Sequence, residues 1–548
     1  MSTPSSTIRI CSGVKLTNDY KHTIWFNSRA DQLSYFAGKV VKTFSAYTYI
    51  RKSWSLKVEA TMEQARKWSY LYFQNGTGKT YFYFINNIEY LNDNTVELFI
   101  EMDVMQTYLD DFTLQPCFVE REHAARDLVG DNLIDEGLDL GELTVNYSFN
   151  VDLAELCVLI MTTLDPEATT ENTNVMATGG LLNKIYTGVG IYALSLDDVS
   201  ALNSTIQNLD SWGKSDAIIS MWMYPKKLVK VSDAWNSENN WHKVTGVDSF
   251  NVHFEGLENA LPIASSQVKN KKLFTYPYAF FYLTNNSGGA GVYHYELFDW
   301  TLSGMTGMED TRSFKICGAI SPEGNVVIYP LYYRGVNSNF EEGITLSNFP
   351  VCAWNQDVYK LWLAQNQNQQ DLSLLVGGLT IAAGVGSMIA TMGASTPASA
   401  TAIAGGLSTI AGAGMTASGL SQVSGAMAQK KDMSIQPPQS KGNHSPSVAV
   451  TEGFQTFTVQ KKSIDAYHVK MIDEFFSMYG YATKRVKIPE RNCRENWTYT
   501  KTVGCHVTGD LCAEDLRKIE SIFNNGVTHW FGNGDIIGDY SLSNLCTG

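Results

Sequence analysis

Few groupings in this 548-residue chain have the residue types and spacing that catalysis or ligand binding requires. Gly76-Thr77-Gly78-Lys79-Thr80 ends like a phosphate-binding loop, in which backbone N–H groups and a lysine hold the phosphates of a nucleotide. The spacing fails, because the first glycine of such a loop falls at position 73, which is Phe73. Tyr81-Phe82-Tyr83-Phe84-Ile85 follows as a strand pattern, so no helix N-terminus is available for phosphate, and the segment reads as a hairpin turn. The nine histidines (His22, His123, His242, His253, His294, His444, His468, His506 and His529) include no HExxH and no pair at metal spacing. No GxSxG occurs, and adjacent Cys505 and His506 do not face each other as nucleophile and base must. Glu120, Glu122, Asp135 and Glu136 are carboxylates of the kind that cleave glycosidic bonds, but sequence gives them no mutual geometry. The expectation is a protein without catalytic residues, metal or cofactor.

Charge narrows the class further. The formal net charge is −14 and the pI about 5.2. Nucleic-acid binders hold phosphates in basic grooves, so this balance argues against one and suits a surface that DNA passes without sticking. It equally suits any plain acidic protein. Lys484, Arg485, Lys487, Arg491 and Arg494 form one basic cluster, read as a solvated strand or loop face, with an acidic neighbour subunit or passing DNA as the other readings. Nine scattered cysteines without CxxC imply no disulfide framework and suit thiols made in a cytosol. Met1 to Ser6 has neither the basic nor the apolar region of a signal peptide.

The elements that would position these residues are mostly strands. Residues 1–150 read as β. Phe44 to Val58 is aromatic and β-branched, Tyr70 to Phe73 and Tyr81 to Ile85 flank Asn75-Gly76 as a hairpin, and Val96 to Val104 alternates in part. Residues 151–365 are mixed: Val158 to Thr163, Phe280 to Leu283, Val292 to Phe298 and Asn325 to Tyr333 read as strands, and Leu196 to Asn208 as a helix. Phe454 to Lys461 reads as a strand, and Ser463 to Tyr479 as an amphipathic helix ending at Gly480.

Between these parts the composition changes abruptly. The 58 residues from Leu372 to Gln429 contain no Asp, Glu, Lys, Arg or His, and a Pro/Gly/Ser-rich linker from Gln436 to Pro446 follows. The first arm, Leu372 to Ala394, would be about 35 Å long as a helix, enough for a hydrocarbon core of about 30 Å. Leu372, Leu374, Leu375, Val376, Leu379, Ile381, Val385 and Ile389 each favour insertion by about 0.3–0.6 kcal/mol, roughly 2–5 kcal/mol in total before Gly, Ser and Thr take some back. Thr396-Pro397 is a pivot between the arms. The second arm, Ala402 to Met427, adds Ile403 and Ile410 to the inserting set. It repeats small residues at Ala404, Ser408, Gly412 and Thr416, the spacing that lets helices approach closely in lipid. A drive this modest suits a segment held inside a protein and released later. An ordinary buried helical hairpin and a flexible linker are the alternatives, though linkers are not loaded with Ile, Leu, Val and Met.

The flanking residues carry a resemblance. Asn18-Asp19-Tyr20-Lys21 with Trp25-Phe26, Glu101-Met102-Asp103-Val104-Met105-Gln106-Thr107-Tyr108, Arg121-Glu122-His123 and Ile134-Asp135-Glu136-Gly137-Leu138 with Gly141 make up its N-terminal part. Tyr479-Gly480-Tyr481, Arg485-Val486-Lys487, Gly509-Asp510, Ile522 to Thr528 with Trp530, and Gly538-Asp539-Tyr540-Ser541 make up its C-terminal part. These resemble the tail knob (distal tail tube) proteins of φ29-like small podophages, whose long hydrophobic loop falls where the apolar tract lies here. The resemblance implies a mainly β (α+β) fold. It would be a hexameric, β-barrel-like tail-tube domain built from both ends of the chain, 1–150 and 451–548. A distal knob would be inserted at 151–365, a membrane-penetrating hydrophobic loop or helical hairpin at 366–432, and a linker at 433–450.

The resemblance also implies a function: a virion protein of the distal short tail, made in the host cytoplasm. It would conduct double-stranded DNA without sequence specificity, be plugged by its hydrophobic loops before infection, and open a pore in host membrane lipid. The implied partners are five further copies in a homo-hexamer, a lower collar or connector-side tail protein and, as a further candidate, a tail-tip wall-degrading protein. Two other classes compete. A stand-alone soluble pore-forming protein predicts export, and a tail-associated wall hydrolase predicts a catalytic constellation.

Overall fold

The computed structural model describes residues 6–47, 54–75, 78–153, 155–168, 181–182, 185–186, 189–212, 214, 217–235, 240–254, 259–299, 312–322, 324–334, 342–347, 349, 351–352 and 456–547. The chain divides into two units. Unit 1 comprises Met1–Glu142, Ser266–Tyr278 and Ile464–Gly548, and unit 2 comprises Leu143–Ser265 and Ala279–Ser463. Strands dominate the described residues, giving a mainly β fold.

Elements of unit 1 are numbered here within that unit. Its N-terminal stretch holds β1 (Ser6–Ser12), β2 (His22–Trp25), helix α1 (Arg29–Ala37), β3 (Val40–Tyr47), β4 (Ser55–Glu59) and α2 (Met62–Ala65). It continues through β5 (Trp68–Gln74), β6 (Thr80–Asn92), β7 (Thr95–Met102), the single turn α3 (Val104–Thr107), β8 (Phe112–Leu114) and β9 (Cys117–Glu122). Its C-terminal stretch adds α4 (Ala466–Tyr479), β10 (Tyr481–Lys487), β11 (Trp497–Val503), β12 (Val507–Gly509), α5 (Ala513–Asn525) and β13 (Val527–Phe531).

The first sheet runs β3-β1-β5-β6-β7-β4 and uses only N-terminal strands. Its β5–β6 hairpin is the one expected around Asn75, with Gln74 opposite Thr80 and Gly78 at φ +87° in the connection. In β7, Val96, Leu98, Ile100 and Met102 are buried, while Glu97 and Glu101 alternate with them on the wetter face. The second sheet, β2-β13-β11-β9-β10, interleaves the two ends of the chain: β2 lies parallel to β13, and β9 is flanked by β10 and β11. One hydrophobic core follows, joining Ile8, Phe36, Tyr70 and Phe82 from the N-terminal stretch to Trp497, Phe523 and Trp530 from the C-terminal one.

Unit 2 holds a six-stranded sheet in the order Val229–Val231, Trp241–Val247, Gly190–Ser195, Leu156–Thr162, Ile218–Pro225 and Val351–Cys352. Helix Val199–Ser211 packs Leu202, Ile206 and Leu209 against it. Two four-stranded sheets and a two-stranded one, Leu181–Leu182 with Ile185–Tyr186, complete the described part, and one of the four-stranded sheets pairs Thr458–Ile464 with Ala279–Thr284. Val292 to Phe298, read as one strand, divides into strand Ala290–Tyr293 and a 3-10 turn at Tyr295–Leu297. Phe44 to Val58, read as one run, holds the end of β3 and most of β4, which lie at opposite edges of their sheet.

Candidate functional site

The residues that stood out in the sequence meet in unit 1 as buried polar joints. Asp103 follows β7 and caps α3, accepting the Met105 and Gln106 N–H groups at 3.0 and 3.1 Å and the Tyr70 hydroxyl at 2.8 Å. Burial outweighs these donors and pushes its carboxyl up to about 6. Gln106 donates to Thr23 Oγ1, the Ile24 carbonyl and thereby β2, while accepting from Gln32 of α1 at 2.8 Å. Thr107 takes the Phe82 N–H at 3.0 Å, and Tyr108 donates to Asp515 of α5 at 2.9 Å. Glu101 accepts from Lys518 of α5 at 2.6 Å and from Asn18 and Asn86. The eight residues Glu101 to Tyr108 thus bind the N-terminal sheet to a C-terminal helix.

A second joint surrounds Glu136, whose side chain is wholly buried. It forms ion pairs with Arg121 and Lys272 and accepts the Ala482 N–H at 2.9 Å. Burial holds the Lys272 ammonium below its ordinary value even with Glu136 beside it, and Lys272 also donates to the Ile134 carbonyl at 2.6 Å. Nearby, Asn270 donates to Asp473 at 2.9 Å and Ser477 at 2.8 Å, and Tyr481 donates to Asp127 at 2.8 Å. Lys272 and Asn270 belong to Ser266–Tyr278, a middle segment that unit 1 borrows and that has no distinguishing composition.

His123 completes this framework as a neutral ring. Its Nδ1 accepts the Tyr499 N–H at 2.7 Å and its Nε2 lies 3.2 Å from the Ser477 carbonyl, so Nε2 carries the proton. Burial depresses its pKa to about 3, and burial does the same to His529, stacked on Phe523. Gly480 closes α4 at φ +64°, where an added Cβ would stand 2.2 Å from the Glu122 carbonyl oxygen, so only glycine fits.

Three of the four carboxylates that invited acid–base chemistry are occupied by cations, and the fourth, Asp135, accepts the Gly137 N–H at 3.1 Å. Glu136 has Arg121 and Lys272, Glu122 has Lys487 at 2.6 Å, and Glu120 has Lys501 at 2.9 Å. A cleft of about 360 Å³ in unit 1, lined by Trp25, Asn27, Asp31, Arg494 and Glu495, holds two further carboxylates. Asp31 there is tied to Ser28 at the start of α1. Among the described residues no group of three or more His, Cys, Asp and Glu is placed to hold a metal.

The basic cluster does not form one solvated face. Lys484 and Arg485 are exposed, and Lys487 pairs with Glu122 and Glu490. Arg494 is buried 3.9 Å from Asp127, and Arg491 stacks over Trp25 at 4.1 Å, its pKa lowered by burial to about 10. Planar guanidinium groups stack on aromatic rings in a way that sequence spacing does not disclose.

No helix among the described residues is long and apolar enough to cross a membrane. The inserting, packing and pivot residues, Leu372 through Thr416, all lie outside the described residues.

The family model built on the C-terminal domain of the tail knob protein gp9 of Bacillus phage phi29 matches residues 171–545, more than half of the chain. The chain belongs to the tail knob protein family. Residues 4–113, which include the first sheet of unit 1, also match the N-terminal model of caudoviral major tail proteins. The tail knob protein gp9 of Bacillus phage B103 is 25% identical and that of Bacillus phage PZA 26% identical, each alignment covering 98% of both chains. The phi29 tail knob protein gp9 is 25% identical over the same share. The solved structure of the bacteriophage C1 tail knob protein gp12 aligns over 99% of this chain and all of that one, with a TM-score of 0.65 at 13% identity, a likeness of fold. This is therefore a structural phage tail knob protein, and its place is the distal tail of the virion.

Proposed function

We propose that this tail knob protein assembles as a homo-hexameric, barrel-like tube that forms the last part of the genome's exit path, and that residues 366–432 first plug the tube and then enter the host cytoplasmic membrane. The observation that carries the reading is the 58-residue run from Leu372 to Gln429 without an ionisable side chain, in a chain that is otherwise ordinary and acidic. Residues 1–150 and 451–548 supply the tube, 151–365 the distal knob, and 433–450 the linker that returns the chain. Leu372, Leu374, Leu375, Val376, Leu379, Ile381, Val385, Ile389, Ile403 and Ile410 face lipid. Ala404, Ser408, Gly412 and Thr416 pack the two arms together, and Thr396-Pro397 marks the bend.

A ring of six copies carries six times the formal charge of −14. An acidic lining repels phosphate, so double-stranded DNA passes without base contacts. The remaining partners are a connector-side collar protein above, membrane lipid below, and a wall-degrading protein at the tip.

The test is deletion. Full-length protein and a variant lacking 372–429 are compared for assembly by mass photometry and for dye release from liposomes of anionic and zwitterionic lipid. The variant is expected to assemble like the parent, because a long insertion with close ends is tolerated. It is also expected to release no dye. Equal release by both proteins would remove the segment from its assigned role.

A further inference from the structure

Two exposed features of unit 1 are alike in apolar character and opposite in charge. The first lies on the second sheet. Phe118 of β9 stands directly opposite Val486 of β10 and Val503 of β11, so the three side chains form one row on one face. All three are exposed, at 39%, 72% and 55%, and Ile488 continues the row past the end of β10. Strand β10 is the free edge of that sheet. A β-bulge between Ala482 and Arg485, with Lys484 at φ +44°, turns Lys484 and Arg485 into solvent beside the apolar row. Among the described residues neither makes a salt bridge, and Lys484 donates to the Asp135 carbonyl at 3.5 Å.

The second feature is the far end of the β6–β7 hairpin. Beyond Phe84, β6 leaves β5 behind and pairs only with β7. Tyr90 is 57% exposed there, and Leu91, also exposed, is the bulged residue between the Tyr90 and Asn92 pairs. Glu89 lies directly opposite Glu97, and Asp93 sits in the turn. Like charges facing each other across a ladder destabilise it. The cation tempering this pair is Lys57, 4.0 Å from Glu97 and itself well exposed. A protein that keeps such a pair at a solvated, apolar tip is suited to receive further cations from outside.

We propose that these are the two halves of one interface between copies of this chain: the Tyr90–Leu91 tip of one copy seats on the Phe118–Val486–Val503 row of the next. Glu89 and Asp93 then lie against Lys484 and Arg485. The two patches are different surfaces of the same unit, so the contact is heterologous, the kind that repeats around a closed ring. The inference rests on the ring reading above and adds the residues that build it.

Charge exchange tests it. Lys484→Glu with Arg485→Glu makes a socket variant, and Glu89→Lys with Asp93→Lys makes a tip variant, each of full length and checked for folding by circular dichroism and melting. Each alone is expected to need roughly tenfold more protein for half-assembly, since like charges across an interface oppose it. Mixed one to one they should assemble again, because the socket of each then matches the tip of the other in alternating rings. Carrying all four changes on one chain should restore assembly as well. Val486→Ser with Val503→Ser should weaken assembly in every background. If the parent assembles and both charge variants do so at the parent's concentration, the interface is overturned while the ring stands. Variants that assemble normally but fail to join tails would move the socket to another tail protein and overturn the self-interface. A parent that stays monomeric overturns the ring reading, and this contact falls with it.

Discussion

Unit 1 seals a carboxylate between two cations at Glu136, whereas the 58 residues from Leu372 to Gln429 carry no ionisable group at all. The two stretches handle charge in opposite ways. A buried charge whose partners are fixed specifies one arrangement, since any other leaves it uncompensated. A segment without charge specifies no such arrangement and is free to change solvent. Three of the stretches by which the family was recognisable, Glu101–Tyr108, Arg121–His123 and Ile134–Leu138, form polar joints inside unit 1. They identify a fold. The segment assigned the membrane role was marked by its composition and by its place in the resemblance.

The comparison can be broken most forcefully at Glu136. Glu136→Ala leaves Lys272 and Arg121 buried without their counter-charge and is expected to cost about 3–5 kcal/mol, read by denaturant or thermal unfolding. Adding Lys272→Met should recover part of the loss. If Glu136→Ala melts like the parent, the joint does not hold unit 1 together.

The opposite response is expected in the apolar segment. Ile381→Asp or Val385→Asp places one charge near the centre of the first arm, costing about 2.5–3.5 kcal/mol of insertion, comparable to the whole drive estimated from sequence. Dye release from liposomes should fall steeply while melting and assembly stay as in the parent. Loss of assembly instead would mean that the segment belongs to the fold.

The smallest effect is acid sensitivity. His123 and His529 are held neutral in the folded state, near 3, against about 6.5 when unfolded. As pH falls below about 6.5 the unfolded chain takes up protons that the folded chain refuses. Stability is then lost at up to about 1.4 kcal/mol per histidine per pH unit. Asp103 acts in the other direction: with its folded carboxyl raised to about 6, it loses stability as pH rises from about 4 to 6. Two histidines outweigh one aspartate, so net loss toward acid is expected in pH-dependent melting. His123→Gln should flatten that slope, and an unchanged slope would contradict the assignment.

The sequence disclosed those elements whose signal is local. The β5–β6 hairpin announced itself through two aromatic runs around Asn75, and the helix before Gly480 through its apolar period and its stop, although its cap is Asp465 and the preceding strand runs to Ile464. Helix Val199–Ser211 was visible with its start misplaced by a 3-10 turn at Leu196–Asp198. Long-range pairing was invisible. Nothing in Lys271-Lys272 announces a buried ammonium, and nothing in Arg491 or Arg494 announces that two of five clustered cations turn inward. Period alone also does not say which face is buried: Leu143, Val145 and Tyr147 alternate as regularly as the core of β7, yet they point to solvent while Asn146 bonds to Ser463.

The interleaving of β9 between β10 and β11 has a consequence in time. About 360 residues of chain must be synthesised between Glu122, the last residue of β9, and Tyr481, the first of β10. At about 5–20 residues per second that is roughly 20–70 s during which both edges of β9 stand unpaired. β2 waits longer still, because its partner β13 begins only at Val527. The second sheet of unit 1 is therefore begun early and closed only as synthesis ends, and the apolar segment leaves the ribosome before that sheet exists. The proposed plugging of the tube by that segment therefore comes only after that interval.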